Sequence, residues 1–336
     1  MRAPQSQNVV ELGICRSESI LLCQNPASLK RRPASKPKGN FLNGTSILVF
    51  GAGGQLGSEL VGGVFSKRFS FHFVNRAEAY IDDPAAVRRA MQLSRPSLVV
   101  NAAAYTNVDQ AEVEREAAFR GNAEGPKVLA AACAEKDIPL IHISTNYVFD
   151  GSKPTPYVES DETSPINVYG ESKRAGEIAV RELIDRHVIL RTSWLFGAYR
   201  QNFLKTILRL AAESDVLRVV ADQRGCPTAT ADLADAILAI APRIMAGERI
   251  FGTYHVAGPY AATWCDFAQE IVSAAAPYTA RNPKILPIST QHYSTKAARP
   301  VNSELDSSKF FLAFGFRAAD WRQRVRETVA ALQGRA

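Results

Sequence analysis

An apolar run, Ile47-Leu48-Val49-Phe50, passes directly into Gly51-Ala52-Gly53-Gly54-Gln55-Leu56-Gly57, and a helical pattern through Leu60, Val61 and Val64 follows. Few folds accommodate that order. Consecutive apolar residues ended by glycine suit a strand buried on both faces of a parallel sheet. Glycines at 51, 54 and 57 permit a tight turn, close approach of a pyrophosphate, and close packing of helix on strand. The following helix offers unpaired N–H groups and the positive end of its dipole to an anion. Glycine alone serves any tight turn. Its place between the first strand and the first helix favours a dinucleotide site built on Gly51, Gly54, Gln55, Leu56 and Gly57.

The rest of the chain keeps the same rhythm. Short apolar runs at 71–74, 98–100, 140–143 and 188–190 alternate with helical stretches, one opening near Asp83-Pro84 and an Ala-rich one over 123–136. Strands alternating with helices of this length imply right-handed crossovers and a parallel sheet covered on both faces. The expected fold is therefore α/β, a Rossmann-like doubly wound parallel sheet over residues 46–193. After about Trp194 the rhythm loosens, and loop-rich aromatic segments alternate with helices near 203–212 and 231–241. Residues 194–336 are expected to form mainly a smaller α/β substrate-binding lobe on the C-terminal side, interleaved with the last sheet strands and closed by a helix near 321–332.

The formal charge of +7 is unevenly placed. Residues 1–45 hold seven basic residues against Glu11 and Glu18, a net of +5, which leaves only +2 for the remainder. A near-neutral body is not an electrostatic footprint for nucleic acid. The basic, Pro- and Ser-containing stretch from Lys30 to Lys38 reads as part of a disordered tail spanning 1–45. No apolar run reaches the roughly 20 residues that cross a bilayer, and Glu11, Arg16 and Glu18 break the early apolar pieces. A cytoplasmic protein without membrane insertion is expected. Cys15, Cys23, Cys133, Cys226 and Cys265 form no CxxC pair and no metal-ligand spacing, so neither zinc nor a disulfide framework is expected.

Chemistry concentrates at three places. Strand 140–143 runs into Ser144-Thr145-Asn146, at the carboxyl end where ligands of open α/β sheets bind. Tyr169 and Lys173 stand four apart, which on a helix puts both on one face. Arg191-Thr192-Ser193-Trp194 ends the next strand. Hydride delivered to a ketone carbon leaves charge on oxygen, and a positioned acid must quench it. Tyr169 suits that role. A neighbouring Lys173 ammonium is expected to draw the phenol toward the working range and to hold a nicotinamide ribose, while the Thr145 hydroxyl hydrogen-bonds the same carbonyl. At the tip of the second strand, where an acid would favour NAD, the residues are Asn75 and Arg76. NADPH is therefore the expected cofactor, with Arg76 on the 2′-phosphate and NADH as the alternative.

GAGGQLG, NAAAYTNVDQAE, ISTNYVFDG, SPINVYGESKRAGE, LRTSWLFG, DQRGCPT and RPVNSELDSSKF occur in order from Ser46 onward. This series resembles the extended short-chain dehydrogenase/reductase superfamily and, within it, the dTDP-4-dehydrorhamnose reductases. The resemblance implies reduction of the C4 keto group of dTDP-4-dehydro-L-rhamnose, a dTDP-sugar, in making dTDP-L-rhamnose for surface polysaccharide. It implies Tyr169 as proton donor, Lys173 as its partner and Thr145 on the substrate oxygen. Asn146, Trp194, Arg299 and Asn302 would line the substrate side. Ala103, Ala104 and Tyr105 would join the glycine turn at the cofactor.

The chain departs from that pattern in three places. Asn146 stands where the family usually has Asp, and Tyr80 where it often has an adenine-contacting Asp. Some members form dimers bridged by magnesium through three acids; Glu59 and Glu213 match two, but the third position falls at Ala331. No metal is expected, and the chain is expected as a monomer or homodimer. Asn146-Tyr147 lacks the Asp-Glu pair of a dehydratase. The alternatives are another nucleotide-sugar 4-epimerase or ketoreductase of the superfamily, or a non-catalytic cofactor-binding regulatory subunit.

Overall fold

The computed structural model of the chain describes residues 9–12, 46–62 and 69–334. The opening apolar run forms β1 (Ser46–Phe50), buried at all five positions. It is followed by β2 (Ser70–Val74), β3 (Leu98–Asn101), β4 (Leu140–Thr145), β5 (His187–Thr192), β6 (Val216–Val220), β7 (Gly252–His255) and β8 (Lys284–Ile288). Six of these build a central parallel sheet in the order β7-β5-β4-β3-β1-β2. The order reverses at β1, so β1 and β3 diverge to opposite sides of a crevice, the switch point at which doubly wound sheets bind ligands. Both the expected doubly wound sheet and the smaller lobe are present.

The longer helices are α1 (Gln55–Gly62), α2 (Pro84–Ser94), α3 (Gly125–Glu135), α4 (Val168–Leu183), α5 (Phe203–Glu213), α6 (Thr230–Met245), α7 (Trp264–Ala275), α8 (Ser308–Phe314) and α9 (Trp321–Gln333). Alternate residues of each central strand face opposite layers. Leu48, Phe50, Val99, Leu140 and Ile189 pack on α2, α3 and α4 through Val87, Met91, Leu129 and Val180. Ile47, Val49, Leu98, Val100, Ile141 and Leu190 pack on α1 and α6 through Leu56, Leu60, Leu233 and Ile237. Local chemistry sets the helix starts: Asp83 caps α2 by accepting from Ala85 and Ala86, with Pro84 in the first turn.

The smaller lobe rests on a second parallel sheet in which β6 lies between β8 and a strand at Val9–Leu12. Its core joins α5, α7 and α9 through Phe203, Ile207, Phe267, Ile271, Trp321 and Val325. Most of the tail read from the sequence as disordered lies outside the described residues. Val9–Leu12, however, is strand: it runs parallel to Val216–Val219, along an edge of β6 that would otherwise be unpaired.

The glycine turn is tight for reasons visible in its contacts. Gly51 has φ +88°, and a Cβ there would lie 2.5 Å from the Ala103 nitrogen. A Cβ at Gly57 would lie 2.2 Å from the Gly51 carbonyl oxygen and 2.6 Å from Ala52 Cα, which are backbone atoms that cannot swing aside. Gly57→Ala is therefore expected to destabilise the fold by about 1–3 kcal/mol, read as a lowered midpoint in urea. Unchanged stability would show that the turn is looser than this contact implies.

Candidate active site

The turn Gly51–Gly57 sits at the carboxyl end of β1, bound to its neighbour: Gly51 and Ala52 N–H donate to Val74 O at 3.0 and 3.2 Å. Gln55 opens α1, and its Oε1 accepts from Asn202 Nδ2 at 3.0 Å. Leu56 is buried in the core, so only its backbone faces the turn. A loop from the other half of the chain covers this point. Besides Asn202, which also caps α5, Arg200 brings Nη2 to 3.4 Å from where a Gly53 Cβ would stand. Arg200 adopts φ +57°, uncommon for a residue other than glycine. Neither residue was singled out from the sequence, because their placement depends on contacts across the whole chain.

Arg76 is exposed in the turn that follows β2, next to the glycine loop. The sequence reading found no acid at this tip. The turn nonetheless folds Glu78 back, so that its Oε2 accepts from Asn75 N–H at 2.8 Å, a short-range contact that the order of residues concealed. On the opposite wall, Ala103 N–H donates to Asn101 Oδ1, and Ala104 leads to Tyr105. Tyr105 is held at both backbone groups by Asn122: its N–H donates to Oδ1 at 2.8 Å and its carbonyl accepts from Nδ2 at 2.9 Å. Asn122 is fully buried within a π-helical turn at Arg120–Glu124, and its amide also donates to Ser172 Oγ. Bulges of this kind gather at functional sites.

The three residues expected to carry the chemistry come together. Thr145 ends β4 in register with Thr192 of β5. Asn167 caps α4 by accepting from Gly170 N–H, which starts the helix where Tyr169 lies in its first turn. Thr145 lies beside Tyr169, close enough for its hydroxyl to bear on the phenol, whose ring meets Tyr147 edge-on with centroids 5.9 Å apart. Burial pushes the phenol up to about 12, against the lowering by Thr145. The expected help from a lysine charge is not what governs Tyr169. Lys173 is buried and turns its Nζ into the Ile143 carbonyl at 2.7 Å. Burial pulls that ammonium down to about 8, opposed by the charge of Glu177.

Behind Lys173 stands a buried carboxylate that the sequence reading missed. Glu177 Oε1 accepts from Ser144 Oγ at 2.5 Å and from Arg191 Nε at 2.9 Å. Its Oε2 accepts from Arg191 Nη2 at 2.7 Å and from Arg181 Nη1 at 3.1 Å. Burial works against its charge, yet the Arg191 and Ser144 hydrogen bonds and the two guanidinium charges hold it at about 2. The spacing that pairs Tyr169 with Lys173 continues one turn to Glu177, and that was the available signal.

A strap near the C-terminal end closes the other side. Asn146 Nδ2 donates to Ser193 Oγ at 3.1 Å and Ser303 O at 3.3 Å, while its Oδ1 accepts from Thr145 Oγ1. A carboxylate in that place could not donate to the Ser303 carbonyl. Arg299 donates to Ala297 O at 2.9 Å and to Asp109 Oδ2 at 2.8 Å, with its side chain 1% exposed. Asn302 Nδ2 donates to the carbonyls of Lys153 and Thr155. The side chains of Arg299 and Asn302 thus anchor the strap. Trp194, half-buried at φ +44°, stacks on Trp264 with centroids 3.5 Å apart.

Of the acids matched to a magnesium bridge, Glu59 accepts from Thr230 Oγ1 and Glu213 pairs with Arg209. Among the described residues no group of three or more His, Cys, Asp or Glu is placed to hold a metal, and no helix is long and apolar enough to cross a membrane.

A doubly wound sheet with a glycine turn after its first strand, and Thr, Tyr and Lys converging at the end of its fourth, defines a short-chain dehydrogenase/reductase. The family described as RmlD substrate binding domain matches residues 45–333. The dTDP-4-dehydrorhamnose reductase of Sinorhizobium fredii is 44% identical over 250 residues, 74% of this chain and 84% of that protein. That of Aggregatibacter actinomycetemcomitans is 41% identical over 83% of this chain and 97% of its own length. The crystal structure of the Bacillus anthracis dTDP-4-dehydrorhamnose reductase in complex with NADP superposes with a TM-score of 0.80 at 36% identity, covering 85% of this chain and 99% of that one. The chain belongs to this family of dTDP-4-dehydrorhamnose reductases.

In the Asp109–Arg299 pair Arg299 is buried and Asp109 partly exposed, so removing Arg299 leaves a carboxylate that water only partly compensates. Arg299→Met is expected to cost about 1–3 kcal/mol in chemical denaturation. A loss below about 1 kcal/mol, the worth of an exposed pair, would mean that the strap is not held this way.

Proposed function

We propose that the chain uses NADPH to reduce the C4 keto group of dTDP-4-dehydro-L-rhamnose to give dTDP-L-rhamnose. The observation that carries this reading is the meeting of Tyr169 with Thr145 at the end of β4, beside Lys173, in a chain of this family. The residues present fit a dinucleotide. Gly51 and Gly57 let the turn pack closely against Ala103 and against its own backbone, and the start of α1 presents backbone N–H groups to phosphate. Arg200 adds a cation over that turn, Arg76 takes the 2′-phosphate, and the Ala103–Tyr105 segment forms the opposite wall.

Bound NADPH supplies the hydride that reduces the carbonyl carbon. The Thr145 hydroxyl donates a hydrogen bond to the carbonyl oxygen and so stabilises the charge that develops there. Tyr169 then gives its phenolic proton to that oxygen. A phenol raised to about 12 is fully protonated at neutral pH, so the donor is always loaded. Transfer still runs downhill, because an alkoxide is more basic than a phenolate. Lys173 holds the nicotinamide ribose. Asn146 and Trp194 line the sugar pocket, with Arg299 and Asn302 fixing the strap beside it. The reaction belongs to a cytoplasmic enzyme acting as a monomer or homodimer.

Tyr169→Phe is expected to lower kcat/KM about 10²- to 10⁴-fold in an assay that generates the keto sugar from dTDP-4-keto-6-deoxyglucose and a 3,5-epimerase, with NADPH binding retained. Retained turnover would remove Tyr169 from its role. Arg76→Ala is expected to reduce the preference for NADPH over NADH, measured as a ratio of kcat/KM values, by about tenfold or more. An unchanged ratio would place the 2′-phosphate elsewhere.

A further inference from the structure

We propose that Glu177 is the positioning residue of this site: its buried carboxylate keeps Lys173 charged and seated at the end of β4. The inference rests on the reading of Lys173 given above and extends it to a residue that touches neither cofactor nor substrate.

Lys173 is 1% exposed and lies between α4 and the sheet, where an ammonium loses its hydration. The groups facing it are few. On its own helix, Tyr169 lies one turn before it and is neutral, and Glu177 lies one turn after it. On β4, His142 is fully buried beside Asn101, with 3.0 Å between Asn101 Nδ2 and His142 Nδ1, and burial holds it well below its ordinary range, so it carries no charge. Arg191 of β5 and Arg181 of α4 bear directly on Glu177. The neighbouring π-helical turn contributes only the uncharged Asn122, bonded to Ser172. Glu177 is thus the one anion facing Lys173 among the described residues, and its charge alone opposes the effect of burial.

Geometry adds a second function. The carboxylate binds Ser144, the residue before Thr145, and Arg191, which pairs with Ser144 in the β4–β5 register. It therefore fastens α4, which carries Tyr169 and Lys173, to the strand end that carries Thr145. The Lys173 ammonium, bound to Ile143 O, lies within the same clasp. Salt-bridging to one arginine would not require this. A carboxylate meant only to neutralise Arg191 has no reason to accept from Ser144 or to face a lysine on the next turn.

The sign of the expected effect follows. Lys173 is charged below about 8 and loses its proton as the pH rises through that value. Without the Glu177 charge the burial penalty is unopposed, so the loss moves to lower pH. The test compares wild type, Glu177→Gln and Glu177→Gln/Arg191→Met across the neutral and alkaline range. The readouts are kcat/KM with the keto sugar, the NADPH dissociation constant by fluorescence, and thermal stability. The double variant leaves no buried guanidinium unpaired, since the other partner, Arg181, is partly exposed to water, and so keeps the fold if the single variant loses it.

The expected result is an alkaline limb displaced downward by about one pH unit or more in every folded variant, in turnover and in NADPH affinity alike. A purely structural role predicts that the double variant regains the wild-type profile, and that outcome overturns the proposal. So does an unfolded double variant, or an unchanged limb in Glu177→Gln. A wild-type protein that binds NADPH but oxidises it with no keto sugar would instead defeat the functional reading, while the affinity profile still decides the role of Glu177.

Discussion

β1 and β3 are buried at every residue, and alternate side chains of the central strands disappear into one helical layer or the other. A sheet closed in this way can hold no chemistry on its faces. Room for polar side chains lies mostly where the strands end, and the reversal of strand order between β1 and β3 opens that edge into a crevice. The candidate groups carried by the strands and their loops follow this restriction. The glycine turn leaves the end of β1, the Ala103–Tyr105 wall the end of β3, Thr145 the end of β4, and Trp194 the end of β5. The restriction also explains why a polar network under the sheet is costly and must be complete. Ser144, Arg191 and Glu177 satisfy one another, and a partial set would leave a charge stranded.

What the sequence disclosed was mostly local. The strand–glycine–helix junction, the i,i+4 pair of Tyr169 with Lys173 and the Thr145 strand end are short-range patterns, and each lies where its pattern implies. The π-helical turn Arg120–Glu124 lies largely ahead of the Ala-rich helix read over 123–136, and one wide turn leaves no trace in hydrophobic periodicity. Arg200 and Asn202 reach the phosphate turn from far along the chain; Asn202 lies 147 residues from its partner Gln55. The Asp109–Arg299 pair spans 190 residues. Such contacts are a property of the tertiary arrangement and have no spacing to read. The electrostatics were the least legible: a YxxxK pair suggests that the lysine acts on the tyrosine, whereas burial governs the phenol and the lysine is directed to Ile143 and Glu177.

Asn146 shows how one substitution can be absorbed by its surroundings. At the position where the resemblance implied an Asp, this chain has an amide that uses both of its capacities: it accepts from Thr145 and donates to Ser193 and the strap. The catalytic strand, the end of β5 and the Ala297–Ser303 strap are thereby joined through an uncharged group. That junction holds its hydrogen-bond pattern at any pH, unlike the Lys173 ammonium seated on Ile143, three residues earlier on the same strand.

The interleaving of the two halves bears on how the chain can be made. The sixth strand of the central sheet, β7, and the helix α6 that covers Ile47, Val49 and Val100 both come from beyond residue 194, and Phe310 completes the same layer. A ribosome releasing this protein therefore presents, until α6 has emerged, a half whose sheet is covered on one face by α1 alone. The nascent half is not a self-sufficient unit, and much of that apolar face stays open until the residues that close it have left the exit tunnel.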